Sequence, residues 1–497
     1  MFIIDEKTHE LCDTIKATTV KKLFNSILPM KSKLKFVFVS FKFAQIFDNE
    51  NDFVLSKVIR DFLNLHSIPN HFCSVEHKMA YNTLIAANIS PKINDYFLHV
   101  CVDTKIIRVE CTCFTVDGHQ TIEDRVVESS RYEEWTKSFL TMLKSSEVTK
   151  AVLFSPGPDM SMLKKFINVL MSNKDFKFGD KLIVIDYDKI LEAEEQAIVE
   201  MAKWFFDRSY IKFYILPRIQ RPVEIFGVIG DSKMTFITAE YLESIPFKKA
   251  IIAAKSIQKI CMMEIVEGKV IETLKMDDQK CHQRKVTLKI ESECFPELLV
   301  ESIIIPEIKG LPKKLDKISE LSETKIPVIG FFGQSSVICV YKDGGYQFLD
   351  SWNGLYGNEL FINLEQSKPK YGMDAIKMDK MSSVVYDLIK IMSMPLDEIV
   401  VDENWKFVIT KDSENPVLIE FDNFEGEKKA ATTKLLMAML IKEQIKCIKN
   451  EMGAAEKPVE IGFCFFDTFS EGEKKRVESG IEESCKLLKM SCKFISV

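Results

Sequence analysis

The stretch Lys35-Phe-Val-Phe-Val-Ser-Phe-Lys-Phe43 occurs a second time near the other end of the chain, as Lys457-Pro-Val-Glu-Ile-Gly-Phe-Cys-Phe465. The similarity continues without a gap to Val75 and Val497, with roughly ten identities over about forty positions, mostly apolar. Each copy predicts a strand, a helix and a returning strand, because an apolar run is followed by an amphipathic segment and a second apolar run. One structural unit is therefore present twice.

The composition is that of an ordinary globular protein. Hydrophobic residues make up 46% and charged residues 28% of the 497 residues, so the chain is neither disordered nor fibrous. Its length predicts two to four domains. The net charge of -6 argues against a nucleic acid or an anionic membrane as a partner.

Targeting and redox features predict a cytoplasmic protein. Residues Met1 to Cys12 carry early charges and lack the apolar core of a signal peptide. No apolar run approaches the roughly twenty residues of a membrane span. The 13 cysteines are scattered and include no Cys-x-x-Cys pair, which predicts reduced, buried thiols and no metal site.

The predicted secondary structure changes in character near Phe206. Before it, strands alternate with helices, the first helix being an amphipathic segment from Glu6 to Leu28, and this alternation predicts α/β layers. From Asp207 to Pro306, strand follows strand with turns between them, which predicts an all-β sandwich.

The remaining two fifths begin with a segment rich in charge, residues 307–323, which predicts a linker or a frayed helix. An α/β pattern then returns from Thr324. It includes a helix from Glu427 to Met452 and ends with the second copy of the repeat.

Several segments resemble the heat shock protein 70 chaperone family. Ile326 to Gly344 is similar to the family's opening strand, turn and strand, in which Gly-Ile-Asp-Leu-Gly-Thr-Thr is followed by Lys-Asn-Gly. Phe97 to Gly118 resembles its second phosphate-binding hairpin, and Val152 to Phe166 its adenosine-contacting strand and helix. Ser244 to Gly268 resembles the β-sandwich that clamps peptides. Both repeat copies resemble the strand, helix and strand that follow the opening hairpin.

This resemblance implies a fold class of α/β lobes of the actin and heat shock 70 ATPase type plus an all-β sandwich. The order of the parts is rotated relative to the family. The implied parts are the end of lobe one, a reduced lobe two, a peptide-binding β-sandwich, a linker, and lobe one again, at residues 1–75, 76–206, 207–306, 307–323 and 324–497.

The family's ATP hydrolysis requires a carboxylate for magnesium, a lysine near the attacked phosphorus and glycine-rich phosphate turns. By the resemblance, the carboxylate position falls on Gly330 or, with a one-residue gap, on Phe332, and the lysine position falls on Ile389. The second phosphate run begins at Cys101 in place of an aspartate, and its glycines are replaced by Asp103, Thr104 and Lys105. None of these positions holds the group that the family has there, so the sequence predicts a pseudo-ATPase without catalytic residues.

Three groups that could still donate hydrogen bonds to a phosphate follow the opening strand, at Gly333, Ser335 and Ser336. Two serines in a turn are more often turn residues than ligands. We therefore expect no cofactor. ATP and magnesium would be cofactors only if substituted residues serve a weak nucleotide site.

Polypeptide binding by the β-domain is the function that the resemblance favours. Such a site pairs with extended main chain and holds a side chain in an apolar pocket. The implied pocket positions are Ala253, Cys261 and Met263, and the alternative is that these residues fill the sandwich core. The segment Tyr210 to Leu216 resembles the family's apolar interdomain linker, with an ordinary β-strand as the alternative.

Three functional hypotheses follow. The first is nucleotide-independent polypeptide binding or scaffolding, with extended hydrophobic segments or whole proteins as partners. The second is a weak ATP-binding or ATPase chaperone. The third is a piece of a tandem array without independent activity.

The repeat itself predicts two different environments. The strand at Val328 precedes only the second copy, so we expect that copy to lie in a complete sheet. We expect the first copy to remain with lobe two and to keep an unpaired edge. Pairing of Phe36–Phe43 with Val328–Phe332 would contradict this prediction.

Overall fold

The computed structural model describes all residues except 1, 5–6, 8–10, 16–18, 42–51, 137–138, 140–147, 173–179, 278–279, 378–379 and 454–456. The fold is mixed α/β with several sheets, at 33% helix and 34% strand. The chain divides into two compact units. The first unit comprises Met1–Pro222, Ala239–Phe247 and Lys289–Pro296, and the second comprises Val223–Thr238, Lys248–Leu288 and Glu297–Val497. None of the described helices is long and apolar enough to cross a membrane.

The first unit opens with the first copy of the repeat. A short antiparallel hairpin precedes a helix, and a parallel strand pair follows with a helix between its strands. The elements are β1 (Phe2–Ile4), β2 (Leu11–Thr14), α1 (Val20–Ile27), β3 (Val37–Phe41), α2 (Asp52–Leu65), β4 (Asn70–Ser74) and α3 (Val75–Ala86).

The predicted helix from Glu6 to Leu28 is wrong in its first half. Leu11–Thr14 forms β2 and pairs with β1, so the ladder rather than a helix satisfies its backbone groups. The helix begins only at Val20, where the Thr19 side chain accepts a hydrogen bond from the Lys22 N–H at 3.3 Å.

A five-stranded sheet forms the rest of this unit, with strand order β7-β6-β5-β8-β9. The first three strands are antiparallel, and β5, β8 and β9 are parallel. The elements are β5 (Tyr96–Val102), β6 (Ile106–Thr115), β7 (Gly118–Glu128), β8 (Val148–Phe154), α4 (Ser161–Met171), β9 (Leu182–Ile185) and α5 (Tyr187–Phe206). Helices cover both faces, because alternate β8 residues pack into two separate cores, Val152 with α3 and α5, and Leu153 with α4.

The segment from Tyr210 to Leu216 packs along the edge of this sheet. Ile215 forms a parallel bridge with His119 at the start of β7. The His119 N–H donates to the Tyr214 carbonyl at 2.7 Å, and the Leu216 N–H donates to the His119 carbonyl at 2.8 Å. The segment is therefore extended and makes a single β-bridge, at Ile215. It is neither a full β-strand nor a linker without contacts, which were the two predicted alternatives.

The region predicted as a β-domain contains two sheets, with strand orders β11-β10-β13-β14 and β12-β15-β16. β13 is antiparallel to both of its neighbours, β10 and β14. Its strands are β10 (Val223–Ile229), β11 (Ser232–Ala239), β12 (Phe247–Ala254), β13 (Lys259–Glu264), β14 (Lys269–Lys275), β15 (Gln283–Ile290) and β16 (Pro296–Ile303). The predicted succession of strands without a long helix is confirmed for the described residues of this region. The sequence did not predict β14, because most of its side chains are exposed and it lacks a clear apolar pattern.

Residues 307–323 are not an exposed linker. They form the short helices α6 (Pro306–Lys309), α7 (Leu311–Leu315) and α8 (Ser319–Thr324). The apolar residues Ile308, Leu311, Leu315 and Leu321 pack in one core with Val328 of the following strand. Charges between those apolar positions concealed the packed face.

The second unit contains a sheet with the order β19-β18-β17-β27-β28. Its strands are β17 (Val328–Phe332), β18 (Ser335–Lys342) and β19 (Gly345–Phe348), joined later in the chain by β27 (Glu460–Phe465) and β28 (Ser491–Phe494). The hairpins are antiparallel, and β17, β27 and β28 are parallel. This strand order and these directions equal those of the sheet in the first unit.

An insertion between β19 and β27 carries small sheets. Its elements are β20 (Asn358–Glu359), β21 (Ile362–Asn363), β22 (Lys370–Tyr371), β23 (Val384–Val385), α9 (Leu388–Ser393), β24 (Val408–Thr410), β25 (Leu418–Asp422) and β26 (Lys428–Thr432), and the helix α10 (Thr433–Met452) leads back to β27. The predicted start of that helix at Glu427 is wrong because β26 pairs with β25. Helix α11 (Glu471–Leu487) connects β27 to β28.

The two repeat copies share a hairpin before the repeated stretch itself. β25 and β26 precede α10 as β1 and β2 precede α1, and Thr432 caps α10 as Thr19 caps α1. The aligned helices share two buried positions, since Leu55 and Leu63 correspond to the buried residues Val477 and Cys485. The pairing of the last strand differs by two residues between the copies. Val39 lies opposite Phe72, whereas its counterpart Ile461 lies opposite Cys492 rather than opposite Phe494, which aligns with Phe72.

The two copies have different neighbours, as predicted. β27 pairs with β17, with Ile329 opposite Phe463. Within the described residues β3 pairs with β4 and not with β17, and Phe36 and Phe38 pack against the core between α3 and α5. The aligned position Phe47 lies outside the described residues.

Candidate functional site

The turn between β17 and β18 holds the residues predicted to donate to a phosphate. Gly333 has a φ of +51°, which favours glycine. Its N–H donates to both carboxylate oxygens of Asp467, at 3.0 and 2.8 Å. Burial raises the pKa of Asp467, and the Gly333 hydrogen bond opposes that rise. An acidic side chain of the protein itself therefore occupies the backbone donor of this turn.

The two serines of the same turn hydrogen-bond to buried protein groups. The Ser335 hydroxyl donates to Oε2 of Glu359 at 2.9 Å. The Ser336 hydroxyl oxygen accepts from Nε2 of Gln444 at 2.9 Å and from Nε1 of Trp352 at 3.0 Å. Both serines are buried, so their hydroxyls are directed into the protein.

The β-domain covers this turn from one side within the second unit. The ring of His282 packs edge-on against Phe332, with centroids 5.2 Å apart. His282 donates through Nε2 to the Leu355 carbonyl and accepts at Nδ1 from the Ile305 N–H, both at 2.8 Å. Burial lowers the pKa of His282, which is consistent with this neutral arrangement.

The three positions that the sequence analysis matched to catalytic groups lie in apolar or crowded surroundings. Gly330 is in β17, where an added Cβ would lie 2.8 Å from the Phe466 ring. Ile389 is buried in α9. Cys101 lies in β5 of the first unit, and burial raises its pKa to about 12.

Lys390, which follows Ile389, is directed elsewhere. Its Nζ forms an ion pair with Asp402 at 2.7 Å and lies 5.6 Å from the centre of the Trp405 ring. Trp405 in turn donates through Nε1 to the carboxylate of Asp387 at 2.8 Å. Lys390 thus belongs to a local surface network.

The three predicted peptide positions lie on two different sheets. Cys261 and Met263 are on the same face of β13, opposite the buried pair Ile260 and Met262. Cys261 is buried with its sulfur 3.6 Å from the Thr273 hydroxyl of β14, and Met263 is half-buried. Ala253 is buried in β12 of the other sheet. The structure thus places Cys261 and Met263 on one face of one sheet, and Ala253 on the other sheet.

A buried charged network next to the turn was missed from sequence. Lys255 is 1% exposed, and its Nζ donates to the carbonyls of Tyr356 at 2.5 Å and Gly357 at 2.7 Å. Arg284 donates through Nη1 to the Lys255 carbonyl at 2.5 Å. Glu359 is fully buried and interacts electrostatically with Lys255.

Burial lowers the pKa of Lys255 and raises that of Glu359, and each charge counteracts the shift of the other. No sequence signal could reveal this network, because about a hundred residues separate Lys255 from Glu359 and no motif joins them. It binds the β-domain part of the second unit to the strand β20 beside the turn.

Among the described residues, no group of three or more His, Cys, Asp or Glu side chains is placed to hold a metal ion. A comparison of the sequence with protein families and with curated proteins finds no match.

Proposed function

We propose that this chain is a degenerate relative of the heat shock protein 70 chaperones that binds or scaffolds polypeptides without hydrolysing ATP. Its two α/β sheets have one strand order and one set of strand directions, as the two lobes of an actin-like ATPase fold would have. The β-domain lies between them in sequence. These features support the resemblance at the level of architecture.

The observation that carries the loss of nucleotide chemistry is the Asp467 carboxylate on the Gly333 N–H. A backbone N–H at such a turn attracts an anion, and here the anion is a side chain of the protein. A phosphate at the same place would meet a half-buried carboxyl group and would be repelled by its ionised form. Gly330 and Ile389 add neither a magnesium ligand nor a cation.

We expect Mg-ATP to bind neither the natural chain nor the variant Asp467→Ala. Isothermal titration calorimetry at nucleotide concentrations up to about 1 mM measures this. The range detects dissociation constants up to about 1 mM, or a binding free energy of about −4 kcal/mol. Saturable heat at micromolar ATP with the natural chain would contradict the proposal. Binding by Asp467→Ala alone would mean that the carboxylate is the main barrier and that the rest of the site is retained.

Polypeptide binding is assigned to the face of β13 that carries Cys261 and Met263. The neighbouring strand β14 is at the sheet edge, and its Val270, opposite Met263, is 47% exposed. An edge strand offers main-chain groups to an extended segment, and the apolar side chains beside it offer a pocket. An extended hydrophobic polypeptide therefore suits this face.

The variant Met263→Lys is expected to weaken binding of an extended hydrophobic peptide at least about tenfold, because it places a charge in an apolar contact. Fluorescence anisotropy with a labelled peptide measures the affinity. The matched control is Leu299→Lys on β16 of the other sheet, at a position that is 39% exposed. Equal affinities for the two variants would exclude this face, and the absence of saturable binding to the natural chain would leave scaffolding alone.

A further inference from the structure

The face of β13 assigned to polypeptide binding continues onto β14 as three pairs of side chains. The strand register sets apolar, small and cationic residues opposite one another in turn, as Met263 with Val270, Cys261 with Thr273, and Lys259 with Lys275. The β13 members of these pairs alternate along the strand and therefore share one face of the sheet. We call these three pairs the β13–β14 ladder, and its chemistry changes from apolar at one end to cationic at the other.

The apolar end of the ladder is open to solvent. Val270 is 47% exposed and Met263 is half-buried. Ile265 and Val266, which follow β13 directly in the chain, are 38% and 75% exposed. Neighbouring apolar side chains that contact water gain free energy when a partner covers them. This end of the ladder therefore favours an apolar side chain of a partner.

The other end of the ladder carries two lysines directly across from each other. Lys259 and Lys275 are both exposed, and neither forms an ion pair with another residue that the structure describes. Like charges directly opposite each other in a sheet destabilise the pairing of the strands. An anion between the two ammonium groups would relieve this repulsion, so this end of the ladder favours a carboxylate.

The next strand of the sheet leaves the positive charge of this face in place. Glu224 of β10 lies opposite Met263, and its carboxylate forms an ion pair with Lys233 of β11. Because Lys233 balances the charge of Glu224, the excess positive charge of the face comes from Lys259 and Lys275. An acidic group of a partner therefore finds its strongest attraction at the lysine end of the ladder.

The central pair of the ladder sets the distance between the apolar and the cationic end. Cys261 is buried, with its sulfur 3.6 Å from the Thr273 hydroxyl. Met263 and Lys259 lie four residues apart on either side of this pair on β13, which is roughly 13 Å in a strand. An extended partner has the same spacing between residues four positions apart. One apolar and one acidic residue at that spacing can therefore reach both ends at once.

We propose that the β13–β14 ladder selects extended polypeptide segments in which an apolar residue and an acidic residue are four positions apart. This inference rests on the proposed polypeptide binding and names the class of segment that the same face accepts. The apolar side chain contacts Met263 and Val270, and the carboxylate lies between the ammonium groups of Lys259 and Lys275. A segment with a lysine in place of the acid binds more weakly, because it adds a third cation at that end.

Fluorescence anisotropy of the full chain with labelled peptides tests this selection. Each peptide is rich in serine and threonine and has one central leucine, with a glutamate, a glutamine or a lysine four positions before or after it. In the better of the two orders, the glutamate peptide is expected to bind about threefold tighter than the glutamine peptide and at least about tenfold tighter than the lysine peptide. The differences are expected to shrink between about 50 mM and about 500 mM salt, because the lysines are exposed.

Substitutions of the two lysines assign the selection to them. The double variant Lys259→Gln/Lys275→Gln is expected to bind the glutamate and glutamine peptides equally, with the natural chain's affinity for the glutamine peptide. The matched control is Lys269→Gln, which changes an exposed lysine of β14 on the opposite face of the sheet. This control is expected to keep the preference for glutamate.

The outcomes separate the selection from polypeptide binding itself. Equal binding of the three peptides by the natural chain would overturn the selection and leave polypeptide binding intact. A preference for glutamate that survives in the double variant would also overturn it, because the lysine pair would not be the cause. The absence of saturable binding to every peptide would instead contradict polypeptide binding by this face, and the inference with it.

Discussion

Replacing Lys255 with methionine is expected to destabilise the second unit by roughly 3–5 kcal/mol, the cost of leaving a buried charge without its partner. The substitution keeps most of the apolar stem of Lys255. It removes the two hydrogen bonds to the carbonyls of Tyr356 and Gly357 and the cation that faces Glu359. Glu359 is fully buried and its Oε1 has no hydrogen-bond partner among the described residues, so the substitution would leave a buried carboxylate without its cation.

Hydrogen exchange followed by mass spectrometry measures this loss in the second unit while the first unit serves as an internal reference. The control Lys248→Met changes an exposed lysine on β12, the strand that ends just before Lys255, and is expected to alter stability by no more than about 0.5 kcal/mol. The double variant Lys255→Met/Glu359→Gln is expected to recover at least half of the loss, because the amide removes the unpaired charge. A loss in Lys255→Met that equals the loss in the double variant would refute the pairing.

The repeat and its consequences were predictable because they depend on local apolar patterns. Val37 and Phe463 lie in strands, and the helices between the strands keep the buried positions in phase. The different pairing of the two copies was also predictable, since the strand at Val328 precedes only the second copy. Short-range pattern and order along the chain were sufficient for these features.

The misassigned segments share a cause. Leu11–Thr14 and Lys428–Thr432 adjoin amphipathic helices, and their apolar residues continue the helical spacing by chance. Pairing with a neighbouring strand decides their conformation, and that pairing is a tertiary effect. The threonine caps at Thr19 and Thr432 were the signal that could have placed both helix starts.

The resemblance predicts that Gly330 and Ile389 stand where the heat shock protein 70 family has a carboxylate and a lysine, and this remains a prediction. The contacts that the structure shows at the candidate site were not predictable from the sequence. The Asp467 carboxylate is 134 residues from Gly333, and the charge of Lys255 is about a hundred residues from Glu359. Such contacts are fixed by the packing of distant elements, which no local pattern encodes.

The two repeat copies provide a matched pair of identical residues in different environments. Ile481 of α11 is fully buried, whereas Ile59, its counterpart in α2, is only half-buried. We expect Ile481→Ala to cost roughly 3–4 kcal/mol, because truncation removes buried methyl groups and leaves a cavity. We expect Ile59→Ala to cost about 1 kcal/mol, since part of its surface already contacts water.

Hydrogen exchange of α2 and α11, measured in each variant and in the natural chain, gives the loss of stability at each helix. The matched surface control is Leu487→Ala with Leu65→Ala, because these aligned residues are 54% and 78% exposed and both substitutions are expected to be nearly neutral. Equal losses for Ile481→Ala and Ile59→Ala would mean that the first copy is as fully enclosed as the second. The difference in packing between the two helices would then have to be abandoned.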